Sequence, residues 1–252
     1  MARILIVEES HIFSNMLQGL LKKHTNFNFD FAFNYTEAEH FLKQFRYDFA
    51  VADLRLSDAP HGQVITLMNR HNVAPIILLD EINEDFHETY ESSNIVDYVL
   101  KEHYGDIANV TRCLLQLEAN RKKNILLIDA TVSHSLLLKQ QLMQHQLRVV
   151  ISTNVNEAYQ KIQQGESYDL IMVNNSIAQH EQLVLVAALR KEAATQNIPL
   201  ITLVNESGEF ETAQLLKEGA SDYLIKPFSR DELYHRIYTH LSRVTLDLGS
   251  DD

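Results

Sequence analysis

Ile4-Leu5-Ile6-Val7-Glu8-Glu9 returns 121 residues later as Ile125-Leu126-Leu127-Ile128-Asp129-Ala130, and Tyr47-Asp48-Phe49-Ala50-Val51-Ala52-Asp53 returns at the same distance as Tyr168-Asp169-Leu170-Ile171-Met172-Val173-Asn174. Each stretch is a short apolar run that closes on polar or acidic residues, the pattern of a strand buried on both faces. One constant spacing over two separate runs marks an internal duplication. The two copies are not chemically equal. Asn174 stands where Asp53 stands and Ala130 where Glu9 stands, so carboxylates able to hold a cation or attack an electrophile are present in one copy and missing from the other.

Outward from these runs, both copies alternate Ile-, Val- and Leu-rich segments with amphipathic stretches, which predicts parallel sheets covered by helices. The first copy reads as strands over 3–7, 27–33, 49–52, 76–79 and 97–100, with helices near 10–23, 36–45, 62–71, 85–92 and 104–119. The second reads as strands over 124–128, 148–152, 170–173, 200–204 and 222–225, with helices near 133–144, 156–164, 180–194, 209–218 and 230–245. The predicted fold class is therefore α/β, with two (βα)₅ units of five parallel strands each and helices on both faces. The expected domains are 1–120 and 124–245, with a frayed tail over 246–252. The polar stretch 118–124 is the one candidate linker. It lacks Pro and Gly, so a helix running through it would give a semi-rigid connection.

Composition narrows the function. The chain of 252 residues carries 22 basic and 34 acidic side chains, a net charge of −12. That balance disfavours neutralisation of nucleic-acid phosphates, and no basic stripe or helix-turn-helix pattern offsets it. The acid excess gathers over 80–91, which reads as a solvated loop and first helical turn. No apolar run is long enough for a membrane span and the short N-terminal run is flanked by charges, so a soluble cytoplasmic protein is expected. The single Cys113 falls in a helical pattern with Val110, Leu114 and Leu117 and reads as packing. The twelve histidines read as surface residues, although His11 and His103 border the acid cluster. There is no Gly-rich phosphate loop, serine elbow or zinc-hydrolase motif.

In a parallel sheet of order 2-1-3-4-5, side chains at the carboxyl ends of strands one and three meet at the topological switch point. Glu8, Glu9 and Asp53 occupy those ends. Three converging carboxylates need a divalent cation, a raised pKa or a nearby ammonium, and Lys101, just after the fifth strand, supplies an ammonium.

These residues, with Asp97-Tyr98-Val99-Leu100-Lys101 and Gly219-Ala220-Ser221-Asp222-Tyr223-Leu224-Ile225-Lys226-Pro227-Phe228, give both halves a resemblance to the response-regulator receiver domains of two-component signalling. The family's CheY-like, flavodoxin-like fold is the (βα)₅ unit already expected. The resemblance implies that Asp53 is a phosphoacceptor, that Mg²⁺ is held by Glu8, Glu9, Asp53 and the backbone carbonyl of Arg55, and that Lys101 contacts the phosphoryl group. It also implies a switch formed by the residue ending strand four, here Asp80, and by Tyr98.

Several positions depart from the family pattern. Receivers place Thr or Ser where Asp80 stands, and an acid about 5 Å from a phosphoryl charge costs on the order of 3 kcal/mol at an effective dielectric near 20. Glu102 replaces a proline, and the acid pair is Glu-Glu. In the second copy Asp129 and Lys226 persist, while Ala130, Asn174 and Val204 replace a metal ligand, the nucleophile and the strand-four hydroxyl. A pseudo-receiver is expected there, without phosphate and with weak or no Mg²⁺ binding. The implied partners are a sensor histidine kinase or phosphotransfer protein upstream and a protein or fused output domain downstream, with a homodimer possible and neither nucleic acid nor membrane bound directly. No catalytic output is expected in this chain. Phosphorelay through Asp53, with the second copy as docking or dimerisation platform, stands against two alternatives: the N-terminal regulatory portion of a diguanylate cyclase, and a phosphorylation-independent scaffold.

Overall fold

The structure, a computed structural model, describes residues 1–81, 93–101, 104–176, 179–192, 194–205 and 209–244. The chain divides into two compact units, Met1–Glu118, to which Val244 is assigned, and Ala119–Arg243. The first unit contains β1 (Arg3–Val7), α1 (His11–His24), β2 (Asn28–Ala32), α2 (Tyr35–Gln44), β3 (Phe49–Asp53), α3 (Gln63–Arg70), β4 (Pro75–Leu79), β5 (Asp97–Leu100) and α4 (Tyr104–Asn120). The second contains β6 (Asn124–Ile128), α5 (Val132–Gln144), β7 (Arg148–Ser152), α6 (Val155–Gln163), β8 (Leu170–Asn174), α7 (Gln179–Lys191), β9 (Leu200–Asn205), α8 (Glu209–Lys217), β10 (Asp222–Lys226) and α9 (Arg230–His240). The helix expected near 85–92, Glu102, His103 and the tail lie outside the described residues. Among those described, no helix is long and apolar enough to cross a membrane.

Both sheets are wholly parallel, in the orders β2-β1-β3-β4-β5 and β7-β6-β8-β9-β10. The expected α/β architecture is thus the observed one. The central strands β1, β3 and β4 are buried almost throughout, which is why they read as unbroken apolar runs. Successive side chains still part to opposite faces. Leu5, Val7, Ala52 and Ile77 meet Leu42 of α2 and Met68 of α3, while Ile4, Ile6, Val51 and Ile76 meet Leu17 and Leu21 of α1 and Leu114 and Leu117 of α4. The second unit repeats the arrangement, with α5 and α9 on one face and α6 and α7 on the other.

Two boundaries differ from the sequence expectation. α4 stops at Asn120 instead of running through the linker, and the chain turns at Arg121 and Lys122. Asn120 is buried, and its amide donates to the His145 carbonyl and the Tyr238 hydroxyl, both at 2.8 Å. α9 ends at His240, where Leu241 turns extended.

Local caps fix where helices begin. The Asn34 side chain accepts from Glu37 N, and Asn154 accepts from Glu157 N, so the duplicated Asn-x-x-Glu caps α2 and α6 alike. Backbone donation from Thr153, with the Lys161 ammonium and the Thr153 hydroxyl, pulls the Glu157 carboxyl down to about 2. A carboxyl depressed in the folded state stabilises above its unfolded pKa and loses that contribution as pH falls through the folded value. Glu157→Gln is therefore expected to lower stability near neutral pH, by no more than about 1 kcal/mol because the group is solvent-screened. In chemical denaturation the gap between the proteins should close as pH falls from about 4.5 toward 2.

One tight approach constrains the second unit. The Arg190 guanidinium donates to the carbonyls of Gly219, Thr195 and Ile198 and to the Ser221 hydroxyl. Gly219 sits at φ +108, and a Cβ there would lie 2.7 Å from Arg190 Cγ. Gly219→Ala should destabilise the second unit by about 1–3 kcal/mol, read as a lowered thermal midpoint.

Candidate functional site

Parallel pairing brings the ends of β1 and β3 side by side, with Val7 opposite Ala52, and Lys101 leaves β5 through a backbone hydrogen bond to the Leu79 carbonyl. Three charged side chains then converge. Lys101 Nζ donates to Asp53 Oδ2 at 2.5 Å and to Glu8 Oε2 at 3.3 Å, and Asp80 Oδ1 lies 3.4 Å away. The other oxygens are held by backbone: Asp53 Oδ1 accepts from Arg55 N and Glu8 Oε1 from Ser10 N. Glu8 and Asp53 are buried.

Burial pushes both carboxyls above their usual range, and the Lys101 ammonium pulls against that rise. For Lys101, burial works against charge, but the hydrogen bond and attraction of Asp53, joined by Glu8 and Asp80, outweigh it and hold the ammonium above its ordinary pKa. One cation thus serves several acids.

The remaining predicted residues fall at different distances from this centre. Among the described residues Glu9 makes no hydrogen bond or ion pair with Lys101, and its Oε1 instead accepts from Ser57 N at 2.6 Å. The loop carrying Ser57 is tied down again by Asp58, which accepts from the Tyr35 and Thr36 amides at the start of α2. Asp80 is largely exposed, at 68% of its side chain. Tyr98 is half-buried against the cluster containing Ile77 and Leu79. His11 packs its ring on Phe33. Cys113 points its thiol at Asp97, in keeping with a packing role.

The second unit holds the same positions with different bonds. Asn174 Nδ2 donates to Asp129 Oδ2 at 2.8 Å, and its Oδ1 accepts from Lys226 Nζ at 2.7 Å. The amide therefore bridges acid and ammonium that meet directly in the first unit. Asp129 also accepts from the Ser176 hydroxyl and Thr131 N, Ser176 accepts from Ala130 N, and Lys226 reaches Asn175. Burial lowers the Lys226 pKa, with Asp129 opposing the fall.

The position assigned to Val204 needs correction. The ladder sets Asp53 opposite Leu78 and Asn174 opposite Leu203, so Asp80 corresponds to Asn205, and Val204 to Leu79. Val204 is fully buried in the core, as Leu79 nearly is, while Asn205 is exposed like Asp80. The strand-four residue facing the second site is thus another amide.

Oxygen donors from Glu8, Glu9, Asp53 and the Arg55 carbonyl are the chemistry a hard divalent cation takes. Among the described residues, however, no three metal-ligating His, Cys, Asp or Glu side chains are already gathered: Lys101 lies between two carboxylates and Ser57 N holds the third. The donor set fits Mg²⁺ in kind in the first unit. In the second, Asp129 is the sole carboxylate at the strand ends among the described residues, and its oxygens are already hydrogen-bonded.

Residues 125–238 match the family of response regulator receiver domains. The second unit is a response regulator receiver domain. The first unit repeats its strand order and strand-end geometry, giving tandem receiver-like folds. A solved structure described as a two-component system response regulator/GGDEF domain protein aligns over 96% of this chain and 98% of that one, with 26% identity and a TM-score of 0.81. Response regulator PleD of Caulobacter vibrioides is 31% identical over 96 residues, covering 38% of this chain and 21% of that protein. The transcriptional regulatory protein KdpE of Staphylococcus aureus is 30% identical over 116 residues, 46% of this chain and 48% of KdpE. The chain thus spans less than half the length of these curated relatives.

The bond pattern of the second receiver yields a prediction for the first. Asn at position 53 can donate to Glu8 and accept from Lys101, as Asn174 does with Asp129 and Lys226. A carboxyl raised in the folded state loses stability as pH climbs through its folded pKa, and Asp53→Asn removes that loss. With divalent cations chelated, the variant should be more stable at neutral pH by on the order of 1 kcal/mol. The gain should vanish in acid, as followed by urea denaturation across pH.

Proposed function

We propose that this chain is the signal-receiving part of a two-component response regulator, in which Asp53 is the phosphoacceptor and the second receiver is a docking platform. The observation that carries the reading is the contact of Asp53 with Lys101, set beside Glu8 at the ends of β3, β5 and β1. An Asp53 carboxylate oxygen attacks the phosphorus of a phosphohistidine or small phosphodonor. The bond from phosphorus to the donor breaks, its electrons leave with the donor, and an acyl phosphate forms. Lys101 is positioned to exchange its carboxylate contacts for phosphoryl oxygens. Glu8, Glu9, Asp53 and the Arg55 carbonyl would hold Mg²⁺, which supplies neutralisation of the phosphoryl oxygens.

The exposure of Asp80 softens the conflict expected from its charge. At the dielectric of water, a unit charge about 5 Å away costs nearer 1 kcal/mol than 3, so the acid weakens the phosphorylated state without forbidding it. In the second receiver Asp129, the one strand-end carboxylate among the described residues, is held by Asn174, Ser176 and Thr131 N, which supports a domain that neither takes phosphate nor needs a cation.

A second reading follows from the alignment with a response regulator/GGDEF domain protein. In it the chain is the regulatory portion of a diguanylate cyclase, and Asp53 keeps the same role.

Incubation with acetyl phosphate and Mg²⁺ should add one phosphoryl mass to the intact chain and none to Asp53→Asn. Mg²⁺ alone should raise the thermal midpoint of the first unit, and Glu8→Gln should abolish that rise. A mass shift that persists in Asp53→Asn would overturn the assignment.

A further inference from the structure

The edge of the first sheet opposite Asp53 is where β3 and β4 begin, and a cavity of about 580 Å³ opens there. Its volume falls in the roughly 300–1,000 Å³ range of small-molecule sites. Phe45, Arg46 and Tyr47 line it from the turn after α2, and Arg70, His71 and Asn72 from the end of α3. Among the described residues no carboxylate does so. In a chain of net charge −12, the cavity reverses the prevailing sign.

Two helix C-termini meet at this edge, together worth about one unit of partial negative charge, and cations in the last turns are the ordinary answer to it. Lys43 is such a residue, and Glu39 already holds it at 2.8 Å. Arg46 is different, because it lies beyond α2 and is exposed. Among the described residues neither Arg46 nor Arg70 makes an ion pair. Two guanidiniums therefore exceed what the helix ends offset, and a guanidinium fork suits phosphate oxygens.

Phe45 supplies a second chemistry. The Arg3 guanidinium covers one face of its ring, 3.8 Å from the centroid, and Arg3 is itself held by Asp30 at 2.8 Å. The ring remains 38% exposed and lines the cavity. A ring pinned from one side offers a fixed surface on which a flat aromatic group can stack. The duplication shows that the scaffold does not require this ring or the guanidinium beside it. Phe45-Arg46-Tyr47 returns 121 residues later as Glu166-Ser167-Tyr168, where the tyrosine hydroxyl donates to Glu166. The buried tyrosine persists, while ring and cation give way to an acid and a hydroxyl.

We propose that this cavity binds a nucleoside phosphate, with Arg46 and Arg70 on the phosphate oxygens and Phe45 under the base. The proposal is independent of the phosphoacceptor reading, because the cavity lies at the other end of the strands from Asp53 and shares no residue with the acid cluster.

The test is isothermal titration calorimetry of the full chain, divalent cations chelated, with ADP, pyrophosphate and adenosine as probes. ADP should bind, and pyrophosphate and adenosine should each bind more weakly. Arg46→Glu with Arg70→Glu, both at exposed positions, should weaken ADP by about tenfold or more. Phe45→Leu should weaken ADP by about three- to tenfold and leave the pyrophosphate affinity unchanged. Asp53→Asn should bind ADP as the parent chain does. Circular dichroism checks that each variant is folded, and the double-arginine variant decides alone if Phe45→Leu is not. The proposal is overturned if ADP gives no heat at millimolar concentration, if its affinity survives the double-arginine substitution, or if it is lost in Asp53→Asn. Pyrophosphate binding as tightly as ADP overturns it too, since the cavity would then hold an anion without a base.

Discussion

One ammonium at the end of the fifth strand organises each unit of this protein. Lys101 in the first unit and Lys226 in the second bring a cation to the point where strands one and three end, and there the parallel ladders leave polar side chains facing one another. The apolar strands are interchangeable in outline, since both sheets have the same order and pack helices on the same faces. What differs is the charge the lysine must balance. In the first unit it touches the buried Glu8 and Asp53 and the exposed Asp80, and one positive charge cannot neutralise three acids. In the second, among the described residues, it bonds the amide oxygens of Asn174 and Asn175, and the retained acid, Asp129, is reached through Asn174.

This contrast gives the duplication its physical meaning. Replacing Asp53 by an amide of nearly the same shape keeps a hydrogen-bond donor for one neighbour and an acceptor for the other, so the network closes with no net charge to be balanced. The change at the end of strand four, Asp80 to Asn205, goes the same way, and Ala130 stands in place of the Glu9 carboxylate. Three neutral substitutions around one retained acid and one retained lysine turn an under-neutralised site into a satisfied core. The acid-rich site keeps a deficit of positive charge, and that deficit is what a cation or a rearranged lysine can act upon.

The sequence was legible wherever a period or a cap carried the information. Most strand and helix limits followed the apolar runs to within a residue or two, while α7 and α9 end three and five residues short of their expected limits. The end of strand four was misplaced in the second copy for a definite reason. Leu200 to Val204 is buried throughout, so the run has no alternation to set its phase, and the reading slips by one residue at Val204. Ser57, Asn175 and Ser176 were missed because they lie beyond strand ends, where no repeat tells which way a side chain turns. The bond from the Ser57 amide to Glu9 was out of reach for the same reason.

The same limit applied to α5. Its leucines and Met143 are plain in the sequence, but an apolar helix in a duplicated α/β unit is first read as core, and only the fold shows that Leu138 and Leu142 already fill the inner side. α1 answers the comparison within the same chain. It leaves Ile12 and Met16 exposed, but beside them stand Asn15 and Gly19 instead of further large apolar residues, and Lys22 replaces Met143 at the corresponding position. The unit whose strand-end network is closed by amides is thus also the unit whose first helix exposes the larger apolar outer face.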